Sequence, residues 1–235
     1  LIDWDLSKNR KPLIIRGARQ VGKSTMVRLF AKARGLKIVE VNLEKHVHLN
    51  SAFASFELKK IVNAIEDLTR LRLNDEESLL FLDEVQATPK AIAALRYFFE
   101  ERPKLRIIAA GSLLEFVLAS HDFSMPVGRI EYQWVYPMTF GEFIAARGES
   151  FLEERLATYA PNQPWSESLH RELSDQYRWY LLIGGMPEVV AAFVAGGKEQ
   201  RIRNIHDNIV AGYADDLPKY ARQSDVPRLR EVFRR

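Results

Sequence analysis

The segment that most restricts what this chain can fold into is Gly17-Ala18-Arg19-Gln20-Val21-Gly22-Lys23-Ser24-Thr25, which satisfies the spacing G-x-x-x-x-G-K-[ST]. Upstream lies the apolar run Pro12–Arg16 (PLIIR). Downstream, Lys23–Ala33 carries Met26, Leu29, Phe30 and Ala33 at helical spacing. Strand, glycine loop and helix in this order form a cradle for phosphate. The glycines let the backbone curl until successive N–H groups point inward, and the helix N-terminus adds a dipole that favours anions. Lys23 brings charge to the β- and γ-phosphates, and the Ser24 hydroxyl is placed to ligate Mg2+. An ordinary glycine turn would match this spacing in roughly one chain in a hundred of this size, but such a turn has no need of the flanking strand and helix. Gly17 to Thr25 are therefore the candidate nucleotide-binding residues.

Five β-branched or aliphatic runs alternate with helical patterns over the first two-thirds of the chain: Pro12–Arg16, Lys37–Asn42, Ser78–Leu82, Leu105–Ala110 and Arg129–Tyr136. Such alternation is the signature of βαβ units, and so of an α/β fold with a parallel sheet covered on both faces. The fifth run alternates apolar and polar residues and fits an edge strand. Lys90–Arg102 presents Ile92, Leu95 and Phe99 as a core stripe. After Pro137 the strand signals stop. Phe140–Arg147, Phe151–Tyr159, Glu167–Ile183, Pro187–Ala195 and Lys198–Ala214 all read as helices, with turns at Pro161–Pro164 and Gly196–Gly197.

The third run ends in Asp83-Glu84. Asp83 can hold Mg2+ through water, while Glu84, facing the other way, can polarise an attacking water. Switch GTPases and nucleotide kinases typically lack that second acid, so the pair points to hydrolysis. No N/T-K-x-D guanine-reading motif is present, which disfavours GTP. The fourth run ends in Gly111-Ser112. In P-loop ATPases with a catalytic glutamate, a strand of this kind is inserted between the phosphate-loop strand and the acidic strand, and a polar residue at its tip reads the γ-phosphate. Ser112 fits that sensor role and equally an N-cap of the following SLLEFVLA helix. Arg129, just before the fifth run, is placed where ring-forming ATPases present an arginine finger to a neighbouring subunit, with a surface salt bridge as the competing reading. Gly184-Gly185-Met186-Pro187-Glu188 interrupts a helical pattern; it is either a helix–turn–helix joint or a loop closing over the base, with Pro187 on the adenine edge.

Taken together, RGARQVGKST (16–25), FLDEVQ (81–86), AAGSLL (109–114), PVGRI (126–130), YPMTFGEF (136–143) and GGMPEVV (184–190) resemble the prokaryotic AAA+-type P-loop ATPases that carry an N-terminal AAA domain and a C-terminal domain of unknown function. These are relatives of the archaeal-type and signal-transducing regulatory ATPases. The resemblance implies a five-stranded parallel sheet in the order 5-1-4-3-2 of the additional-strand, catalytic-glutamate class, followed by a helical lid. It implies a core over 1–145, a lid over 146–216 and, from 217 to 235, the start of a further C-terminal domain. It also implies that Gly185 and Pro187 contact the base; the motifs read above give Lys23, Glu84, Ser112 and Arg129 as the candidate catalytic set and Ser24 and Asp83 as the candidate Mg2+ ligands. No lid arginine of the second-sensor type is apparent.

Composition sets the remaining bounds. At 235 residues and 47% hydrophobic content the chain can bury one large domain and a satellite. Cysteine is absent, which excludes disulfide scaffolds, thiolate metal sites and cysteine nucleophiles, and fits the cytoplasm. The pair His46 and His48 has no third ligand at metal spacing nearby. No apolar stretch reaches membrane-spanning length. The opening LIDWDLSKNRK lacks an initiator Met, and the expectation is a segment of a longer polypeptide. The net charge of +3 names no partner, although Lys198 to Arg235 holds nine basic and six acidic residues. Three functions follow as alternatives: an ATPase driving its lid and C-terminal effector, a switch that holds ATP or ADP with negligible hydrolysis, and an ATP-dependent nucleic-acid effector. A homo-oligomer and a DNA or protein partner at the C-terminal end are the associated partner expectations.

Overall fold

The computed structural model describes residues 1–112, 114, 126–220 and 225–234. They divide into two compact units, Leu1–Val135 and Tyr136–Arg235.

The first unit is built on a parallel sheet of five strands, β1 (Leu13–Arg16), β2 (Lys37–Asn42), β3 (Ser78–Asp83), β4 (Arg106–Ala110) and β5 (Glu131–Trp134), in the order β2-β3-β4-β1-β5. This is the 5-1-4-3-2 order. β4 lies between β1 and β3, pairing Leu13 with Ile108 and Phe81 with Ile108, so the phosphate loop and the acidic tip of β3 are separated by one strand. The central strands read as near-continuous apolar runs because both faces are covered. On one face α1 (Ile2–Leu6) and α2 (Lys23–Ala33) bring Trp4, Val27, Phe30 and Ala31 onto Leu13, Ile15, Phe81 and Ile108. On the other, α3 (Leu49–Ala54), α4 (Leu58–Thr69) and α5 (Pro89–Glu101) pack Phe53, Ile61, Ile65, Leu95 and Phe98 onto Ile14, Val41, Leu80 and Ala109. β5 is the edge strand, as its alternating sequence anticipates. Its Tyr132 and Trp134 are partly exposed and flank the Arg16 guanidinium at 4.8 and 4.9 Å, a cation–π pair of contacts.

The second unit is helical: α6 (Phe140–Ala146), α7 (Ser150–Ala157), α8 (Glu167–Ile183), α9 (Pro187–Val194), α10 (Glu199–Tyr220) and α11 (Val226–Arg234). Thr139 and Glu142 form a capping box at the start of α6, and Ser166 caps α8. Phe143, Ile144, Leu152, Leu173, Ile183 and Val190 form its core. Because Phe143 and Ile144 are buried there, α6 belongs to the helical unit, and the division falls ahead of the boundary at 145. Residue 217, where a third segment was expected to begin, lies inside α10, which also contains Pro218. Among the described residues, no helix is long and apolar enough to cross a membrane.

Candidate functional site

The phosphate loop leaves β1 at Gly17, whose φ of 144° and lack of a side chain are both required, since a β-carbon there would overlap the Val135 carbonyl oxygen. Gln20 (φ 63°) and Gly22 (φ 90°) add further left-handed turns, and Gly22 is the N-cap of α2. A loop that alternates handedness in this way turns its N–H groups toward a common centre, and α2 places Lys23 and Ser24 in its first turn. Lys23 Nζ donates to the carbonyls of Gly17 at 2.9 Å and Ala18 at 2.7 Å, folding the cation back over the loop. Val21 is buried and anchors the loop, while Ala18, Gln20 and Thr25 are exposed.

Ser24 Oγ donates to Asp83 Oδ2 at 2.9 Å. This bond joins the loop to the tip of β3, across the width of β4. Asp83 is 8% exposed, and burial pushes its carboxyl above the ordinary 3.8; the charges of Glu84 and Glu40 act in the same sense, opposed by the Ser24 hydroxyl and the Glu84 N–H. A buried carboxylate held by a hydroxyl is a hard oxygen pair suited to Mg2+. Glu84 sits in a left-handed backbone (φ 52°), partly exposed, and its carboxylate accepts from Gln86 Nε2. The two adjacent acids thus occupy different surroundings, one desolvated and one open.

Ser112 follows β4 and is 1% exposed, with an Oγ that has no partner among the described residues; the helix expected after it lies outside them. Thr88 Oγ1 is also buried and unpartnered among the described residues. Orphaned hydroxyls are uncommon in folded proteins and mark places where another group is accommodated. Arg129 does not join this constellation. It precedes β5, at the end of the sheet opposite the loop, and its Nε pairs with Glu100 Oε1 at 3.4 Å on the surface, which is the salt bridge weighed against the finger role. In the helical unit, Gly185 is packed against the Met138 backbone, accepting from Met138 N at 2.7 Å, and a β-carbon would collide there. Pro187 is the first residue of α9. Both residues therefore have structural reasons within their own unit. His46 and His48 meet edge to face at 5.7 Å, and no group of three metal-binding side chains is found among the described residues.

Two contacts were not anticipated from sequence. Gln86 bonds the candidate base, and the sign of it was an amide two residues beyond the acid pair. In the sequence Arg16 reads as the end of a strand, and only the register of β1 on β5 brings it to Tyr132 and Trp134.

Residues 9–144 match the family described as AAA domain, and residues 174–235 match a domain of unknown function (DUF8612). No curated protein matches. Among solved structures, the chain is similar to Caenorhabditis elegans PCH-2, with 17% identity, a TM-score of 0.36, and coverage of 66% of this chain and 43% of that one. It is also similar to the Drosophila ORC solved bound to DNA, with 16% identity, a TM-score of 0.39, and coverage of 73% and 49%. The chain thus spans less than half of the length of either.

Proposed function

The chain belongs to the AAA domain family, and from that premise we propose that it binds ATP with Mg2+ at Gly17–Thr25 and hydrolyses it to ADP and phosphate. The observation that carries this reading is the hydrogen bond from Ser24 Oγ to Asp83 Oδ2, which brings the loop and the acidic strand tip to one point. Loop amides, the α2 N-terminus and Lys23 take the phosphates. For that, Lys23 must exchange the Gly17 and Ala18 carbonyls for phosphate oxygens, a gain because an anionic acceptor replaces neutral ones for the same ammonium donor. Ser24 and Asp83 would hold Mg2+, which when bound neutralises developing charge on the transferred phosphoryl group. Glu84 accepts a proton from water as its oxygen bonds to the γ-phosphorus and the bond to the β-phosphate oxygen breaks. Ser112, at the neighbouring strand tip, offers its unpartnered hydroxyl to the γ-phosphate. Arg129 enters this scheme only toward a second copy of the chain. The helical unit is the part proposed to respond to turnover, through the Gly184–Pro187 step and the sequence that follows it.

Calorimetric titration with ATP tests the binding half. The wild type should bind more tightly with Mg2+ than with EDTA, and Lys23→Ala should weaken binding by about 10- to 100-fold, the worth of a hydrogen bond to a charged group. Equal affinity of Lys23→Ala and wild type would overturn the site.

A further inference from the structure

Gln86 lies in the 3-10 turn Val85–Ala87 that follows the acid pair, and its side chain makes two contacts of different kinds. Its Nε2 donates to Glu84 Oε2. Its Oε1 is buried, has no donor among the described residues, and rests on Gly111 at the end of β4, where a β-carbon would collide with it. Gly111 is not one of the glycines with a left-handed backbone, so its conformation does not call for glycine. The room it leaves does, and that room is filled by the Gln86 carboxamide. Leu114 also approaches the same point, at 3.2 and 3.3 Å, a contact that a small side-chain adjustment relieves. Gly111 is followed by Ser112, whose buried Oγ has no partner among the described residues. One carboxamide thus bridges the carboxylate of Glu84 and the strand tip that carries the candidate γ-phosphate reader.

We propose that Gln86 is the positioning residue of the hydrolytic site: seated on Gly111, it orients the Glu84 carboxylate and couples it to the tip of β4. The inference rests on the reading of Glu84 as the base. Donation from Nε2 fixes one carboxylate oxygen and leaves the other to take the proton of the attacking water. Because the amide oxygen is held by shape against Gly111 and by no donor among the described residues, movement of the β4 tip passes directly to the carboxylate. A base set by its neighbour in this way is sensitive to small displacements, since misplacement by about 1 Å costs up to about a hundredfold in rate.

The test is a set of variants of the full chain read by two measurements, ATP affinity by titration and kcat by phosphate release. Gln86→Met keeps the volume and removes the donor. It should lower kcat by about tenfold to a hundredfold with ATP affinity within about twofold of wild type, a split that general damage to the fold would not give. Gly111→Ala displaces the carboxamide and should lower kcat alike, while adding little in a Gln86→Ala background, where only the looser Leu114 contact remains. Additive losses in that cycle would overturn the seat on Gly111. A Gln86→Met protein with wild-type kcat, alongside an inactive Glu84→Gln, would overturn the positioning role and leave Glu84 as base. Wild-type turnover by Glu84→Gln would instead remove the reading beneath both.

Discussion

Gly17 answers to two demands at once, a left-handed backbone and contact with the Val135 carbonyl, so it fixes where the phosphate loop leaves the sheet. Gly17→Ala should therefore destabilise the protein by at least about 2 kcal/mol, visible as a lower Tm, and should weaken ATP binding in the same variant. Lys23, Ser24, Asp83 and Glu84 were legible in the sequence because each has a fixed place in a linear motif that follows a strand. Gln86 was not, because its bond to Glu84 needs the left-handed turn at 84 and the empty place at Gly111, and neither is a property of neighbouring letters. Ser112 was legible as a polar strand tip, but not its buried, unpartnered oxygen.

At the scale of elements, α1 is held to the sheet by the packing of Trp4 and by a buried carboxylate. Asp5 is flanked by Arg106 Nε at 2.6 Å, Arg34 Nε at 2.8 Å and Arg10 Nη1 at 3.4 Å, with its side chain fully buried. Burial alone would push its carboxyl up, but the bonds and charges of Arg106 and Arg34 together hold it below the ordinary 3.8. A carboxyl with a lowered folded value contributes stability that is present above 3.8 and is lost as pH falls through the folded value. Asp5→Asn should cost about 3–5 kcal/mol at neutral pH, or a Tm drop of roughly 10 °C, because it removes the buried charge that three arginines converge on and leaves the half-buried Arg10 and Arg106 guanidiniums without their carboxylate. Denaturation followed from pH 7 to pH 3 should show the difference from wild type shrinking as the acid range is entered. The β-strands and α2, α5, α6, α8 and α9 could be placed from apolar periodicity alone. α3 and α4, between β2 and β3, were passed over, although Leu58, Ile61 and Ile65 are spaced for one buried face. α10 runs past the end expected at 214 to Tyr220 and includes Pro218, a residue that cannot donate to the helix ladder.

At the scale of the whole molecule, the sheet and the helices carry separate cores. Phe143, fully buried in the helical core among Tyr180 and Phe193, should cost about 3–5 kcal/mol when changed to Ala. Hydrogen exchange should then show protection lost in α6, α8 and α9 and kept in β3. The parallel sheet follows from the alternation of runs, its strand order from the family resemblance, and the helical second unit from the loss of strand signals after Pro137. A partner for the helical unit has no comparable signature in the sequence, since the excess of basic residues after 198 is modest. The central claim concerns the nucleotide site, and it is tested most directly by measuring phosphate release and bound ATP together, at saturating ATP and Mg2+, for wild type and Glu84→Gln. The expected result is full ATP occupancy in both proteins with release slowed by about 100-fold or more in Glu84→Gln; equal release from the two would contradict the account.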